Sequence, residues 1–261
     1  MEGPAATIAL VLAETAAGGT ALLWLGGLWG SVRRGFFVLT GLAALSCALM
    51  ATLAAASATA GPPSEAARLA VGLSAVTSAV LGLSVAALIL RLEAVGRVLG
   101  LLAVPAAVAM LAGFAAVGSS GFVPAFLQLL AGAAFLGAVL DGLLLGHWYL
   151  TDRRLPRHHI RRFSLILLGA VGLEAAAVAV LGFGTADQAD ISGFSPLLGV
   201  AGLTGWLALG MVACTALIAV LIRASLRGER ARAVQGATGF FYLAVITALT
   251  AEMAAKVGFL G

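Results

Sequence analysis

The stretch "AFLQLLAGAAFLGAVLDGLLLGHWYL" (residues 125–150) runs directly into "TDRRLPRHHIRRF" (151–163). The first segment holds one acid, Asp141, in an apolar run longer than the roughly 20 residues a helix needs to cross a bilayer. The second packs five arginines and two histidines into a short loop. The apolar run is continuous, rich in Ala, Leu and Gly. It lacks the alternation over about ten residues that marks a barrel strand. The pair therefore reads as a membrane-spanning helix stopped by a basic edge.

The same pattern extends along the chain. Hydrophobic residues make up 62% of the 261 and charged residues 10%, against about 25% charged in soluble domains. That composition cannot coat a water-soluble globule, and the expectation is an all-α polytopic integral membrane bundle. Eight apolar runs fit spans, near 5–30, 36–58, 67–90, 98–117, 125–150, 163–183, 198–222 and 236–259, forming one transmembrane domain. No Lys or Arg precedes the first run, so it reads as a retained helix and not a cleaved signal. Cys47 and Cys214 fall inside apolar runs and read as packing residues.

The connections alternate in charge. "SVRRG", "RLEAVGR", "TDRRLPRHHIRR" and "RASLRGERARAVQ" are basic, whereas "SATAGPPSEAAR" is balanced, "GSSGFVP" is neutral and "GTADQADISGFSP" is acidic. Basic loops stay in the cytoplasm, so both termini are expected outside, in the inner membrane of the cell. Arg153, Arg154, Arg157, Arg161 and Arg162 then serve as an anchor on anionic lipid or a dock for a partner subunit. Nothing in the chain points to nucleic acid. "LGGLWGSVRRG" and "LLGHWYLTDRR" close the first and fifth spans alike, and "LILR" and "VLIR" the third and seventh. Both pairs are consistent with a parallel 4+4 repeat about the membrane normal, and equally with ordinary Trp and Arg at helix ends.

Ionisable groups inside a span cost about 2.5–3.5 kcal/mol each on insertion scales. Glu14, Asp141, Glu174, Glu252 and Lys256 lie within the expected spans. Counting residues from the basic ends places Asp141 and Glu174 at one inner level, on consecutive helices. Glu14 and Glu252 share an outer level. Close carboxylates in low dielectric cannot both ionise, so these four are candidates for a proton relay or an ion site; the competing reading is separate structural acids. Lys256 is expected to pair with Glu252 one turn away and to reach toward water. His147, Trp148 and Tyr149 stand at the interface, as belt residues or as contacts for a quinone carbonyl.

Several chemistries are argued down. Only His147 lies in a span, so a bis-histidine haem is not expected, and no covalent haem or zinc motif occurs. No metal or catalytic residue is assigned. The glycines in "GLLLG" and "GGLWG" read as helix packing. Eight short-looped spans without a prosthetic-group motif resemble, in architecture alone, the quinone-handling membrane subunits of respiratory oxidoreductases. The leading expectation is thus a membrane subunit of an electron-transfer complex that contacts quinone or conducts protons, with redox centres on partner chains. On that reading it is not catalytic alone. An ion-coupled secondary transporter comes second, and a structural or assembly subunit without a site third.

Overall fold

A computed structural model describes residue 1 and residues 3–58, 63–152, 155–182, 203–228, 232–257 and 259. Among these residues the fold is all-helical, apart from one isolated bridge between Trp29 and Val32. The helices are α1 (Gly3–Leu25), α2 (Arg34–Ser57), α3 (Glu65–Ile89), α4 (Glu93–Ala115), α5 (Phe122–Thr151), α6 (His158–Ala177), α7 (Leu203–Ser225) and α8 (Arg232–Ala255). A π-helical turn, Val178–Gly182, continues α6. Eight helical segments are long and apolar enough to cross a membrane. Large apolar side chains such as Leu53, Leu83 and Ile246 lie exposed on the outside, the arrangement expected of a multi-pass membrane protein in lipid contact.

The eight expected spans are all present, with shifted ends. α1 stops at Leu25, not near 30. The reason lies in "GGLWG": Gly27 (φ +71°) and Gly30 (φ +85°) occupy the left-handed region, where a side chain is strained. These glycines form a turn and do not serve as helix packing. α6 begins at His158, five residues before the expected 163, because His159 and Ile160 turn inward and are buried.

α1, α2, α3 and α4 pack in chain order, and α4 returns to α1. α5, α6, α7 and α8 do the same, with α8 returning to α5. The two four-helix groups meet chiefly along α1 and α5. There the helices touch backbone to backbone. A Cβ on Gly18 would collide with the main chain of Ala133 and Gly137, and one on Gly137 with the main chain of Gly18. Small residues allow this approach, which apolar side chains in lipid do not otherwise drive. On its other face α5 seats Phe241 of α8 against Gly142 and Thr238 against Gly146.

Candidate functional site

The α5 glycines determine what stands opposite them. At Gly132 a Cβ would lie 2.5 Å from Oε1 of Glu14 and 2.9 Å from Oε2 of Glu252. Glycine at this position therefore opens the space in which an acid from α1 meets an acid from α8. The groove between them is closed by Lys256. Its Nζ lies 3.0 Å from Glu14 Oε1 and donates a 2.9 Å hydrogen bond to Glu252 Oε2, with no solvent exposure on any of the three side chains. Glu174 of α6, also buried, lies within electrostatic reach of Glu252, Lys256 and Glu14.

The backbone explains how a lysine comes to point inward just past a helix end. α8 ends at Ala255, and the chain turns back, with the Phe259 amide donating to the Lys256 carbonyl. The Phe259 carbonyl accepts from the Ser119 amide, which ties this turn to the α4–α5 connection. Phe259 is buried, and its ring centroid is 5.9 Å from the Lys256 ammonium. Glu252 is level with Gly132, ten residues into α5, yet α8 has only three residues beyond Glu252. At about 1.5 Å per residue, α8 stops about 10 Å short of the Phe122 end of α5. The α-helical part of α6 likewise ends three residues after Glu174. α6 winds on as the π-helical turn, whereas the C-terminus of α8, with its partial negative charge, ends beside the cluster, and Lys256 supplies the cation that such a position favours.

The polar groups are only partly satisfied. Both oxygens of Glu14 and of Glu174 and Oε1 of Glu252 are buried and accept no hydrogen bond from a donor group among the described residues, and the carboxyls of Glu174 and Glu252 lie within hydrogen-bonding reach of one another. The Glu14–Lys256 contact is therefore an ion pair without hydrogen-bond alignment. Gln128, one turn from Gly132 on α5, is buried with its Nε2 unpartnered. Three carboxylates and one ammonium so gather at one locus where the two four-helix groups meet, with Gln128 one turn away on the same face of α5.

The remaining candidates are placed elsewhere. Asp141 is fully buried, neither of its oxygens has a hydrogen-bond partner among the described residues, and its Oδ1 faces Gly19 of α1. It is nine residues, about 13 Å, along α5 from Gly132. The expected level shared by Asp141 and Glu174 is not observed. Because α6 starts at His158, Glu174 lies sixteen residues into its helix, deeper than a count from 163 allows, and it joins Glu14 and Glu252. Lys256 does not reach toward water; it is 1% exposed. His147, Trp148 and Tyr149 diverge, as consecutive helical residues must at about 100° per residue. His147 is exposed. Trp148 packs edge-on against Phe36 with centroids 6.1 Å apart, and the Tyr149 hydroxyl donates to the Pro156 carbonyl.

No protein-family model, curated protein or solved structure matches the chain. The functional reading therefore rests on the geometry alone.

Of the arginines between α5 and the first turn of α6, Arg157 and Arg161 bond to the turn that follows α7. Arg157 Nη1 donates to the Gly228 carbonyl (3.5 Å) and Arg161 Nε to the Leu226 carbonyl (3.3 Å). Arg162 is exposed, and its Nη1 lies 3.1 Å from where a Cβ on Gly27 would stand. Arg153 and Arg154 lie outside the described residues. On the same side of the molecule Arg33 pairs with Asp152 at 3.2 Å. Among the described residues no group of three His, Cys, Asp or Glu side chains is arranged to hold a metal ion.

The sequence singled out all three acids of the cluster. It missed Gln128 and Gly132, and it gave Lys256 only half of its role. An amide inside an apolar run was the available signal for Gln128. Gly132 is one glycine among 34 and carries no signal of its own.

Proposed function

We propose that this chain is a proton-conducting membrane subunit serving an electron-transfer complex whose redox centres lie on partner chains. The observation that carries the reading is Lys256 held between Glu14 and Glu252, with Glu174 in reach. A structural ion pair needs one acid per base. Here three acids surround one base, and burying uncompensated charge is costly. Such a site reaches charge balance by taking up protons, and as Lys256 shifts its pairing from one carboxylate to the other, the acid it leaves takes up a proton that the newly paired acid gives up. Its place at the junction of the two four-helix groups suits a relay that joins polar routes from the two sides.

The basic loops are assigned to the cytoplasm and both termini to the outside of the inner membrane, supported by the charge alternation. A parallel 4+4 repeat is supported by the same chain-order packing in each group and by α1 meeting α5, the helices in corresponding positions. A quinone is assigned to no particular residue, since His147, Trp148 and Tyr149 point apart. The test is purification of the full chain from its native membrane in mild detergent. A co-purifying redox partner with quinol-driven proton release, impaired in Glu252→Gln, supports the proposal. A solitary chain whose loss leaves quinol-driven proton release intact overturns it.

A second reading, an ion-coupled transporter, is favoured by one observation: the π-helical turn Val178–Gly182, which begins one turn after Glu174. Such turns often lie at functional sites, and transport sites unwind helices at the junction of repeats. Counterflow of a labelled solute in proteoliposomes, dependent on Glu174, would favour this reading over the first.

A further inference from the structure

At the basic end of the molecule the start of α6 and the end of α7 form an open cleft of about 260 Å³, lined by Arg161, Arg223, Arg227 and Leu226. At about 30 Å³ per water, that is room for a phosphate group with several waters. The Arg161 Nε bond to the Leu226 carbonyl joins its two walls. Among the described residues no carboxylate pairs with any of the three arginines. Three guanidinium-bearing side chains lining one cleft favour an anion between them. Guanidinium forks match phosphate oxygens two bonds at a time.

The surface next to the cleft indicates what carries the phosphate. One turn from Arg161 on α6 stands Leu165, and on α7 Leu217, Val220 and Leu221 precede Arg223, all four exposed. An apolar strip thus runs from the cleft along the helices, where an acyl chain would lie. We propose that Arg161, Arg223 and Arg227 form a binding pocket for the phosphate group of an anionic phospholipid, bridging α6 and α7. The site is separate from the buried cluster and independent of the function proposed for it.

The test is lipid binding to the purified full chain in detergent, read by native mass spectrometry and by thermal stabilisation, using phosphatidylglycerol, phosphatidylcholine and inorganic phosphate as separate probes. Each arginine at an anionic lipid surface is worth about 1 kcal/mol, so Arg223→Gln with Arg227→Gln should weaken phosphatidylglycerol binding about thirtyfold. Phosphatidylcholine should bind more weakly than phosphatidylglycerol. Arg161→Lys keeps the charge and the fold but loses the fork, and should weaken binding less than the double change. Arg34→Gln with Arg91→Gln, in other basic connections, should leave binding intact. Inorganic phosphate that binds as tightly as the lipid would overturn the lipid source. Unchanged phosphatidylglycerol binding in the double variant, or an equal loss in the Arg34/Arg91 control, would overturn the pocket.

Discussion

Replacing Lys256 with Met removes the cation while keeping an unbranched side chain only one atom shorter. At an effective dielectric of about 20, each of its two contacts near 3.0 Å corresponds to about 5 kcal/mol of attraction. Desolvation of the ammonium offsets much of this. Removing one partner of a buried pair leaves an uncompensated charge, and the net loss in such cases is about 3–5 kcal/mol. With Glu14, Glu252 and Glu174 all buried beside the vacated position, Lys256→Met is expected to fall in that range. The assay is reversible unfolding of the purified chain in mixed micelles, followed by tryptophan fluorescence. If the loss arises from stranded carboxylates, adding Glu14→Gln and Glu252→Gln to Lys256→Met should recover most of it, a strongly non-additive outcome. A single variant that loses less than about 1 kcal/mol, well below the cost of stranding a buried charge, would refute this reasoning. So would a triple variant no more stable than the single one.

Three other outcomes follow from the same geometry. Gly132→Ala places a methyl against both Glu14 and Glu252. It should destabilise by about 1–3 kcal/mol, as overpacking does, measured in the same unfolding assay, whereas Gly169→Ala, with open space around it, should not. Asp141→Asn removes an acid that has no hydrogen-bond partner among the described residues, so its unfolding midpoint should stay level or rise; a marked fall would reveal a partner for the carboxylate. Reporter fusions at the C-terminus should be active only when the reporter requires the outer side of the membrane, and activity of a cytoplasmic reporter alone would reverse the proposed orientation.

The helices were legible because span length and charge alternation are sequence-local. Their ends were less so. Whether "GGLWG" packs a helix or turns the chain depends on φ at Gly27 and Gly30, and whether α6 starts at His158 or 163 depends on what buries His159. Those few residues mattered for the site, since the depth of Glu174 is counted from the start of its helix. Glu14 and Glu252 were matched by level because both lie far from the basic ends. Lys256 was misjudged because a lysine near a helix end usually reaches water. Here the chain beyond it folds back through Phe259 onto Ser119 and holds the ammonium inside, a tertiary contact that no local pattern announces. Gly132 became meaningful only once α1 and α8 were seen to meet across it.

The central claim is that the Glu14–Lys256–Glu252 locus, with Glu174, carries protons. Its most direct test is proton flux through proteoliposomes holding the full chain under an imposed membrane potential, read with an internal pH dye. Flux above that of empty liposomes is expected for the native chain. Glu252→Gln and Lys256→Met should lower it at least about tenfold, a barrier increase of about 1.4 kcal/mol, whereas Glu65→Gln, at an exposed helix start, should leave it unchanged. Flux that is equal in all four proteins, or no greater than in empty liposomes, would contradict the claim.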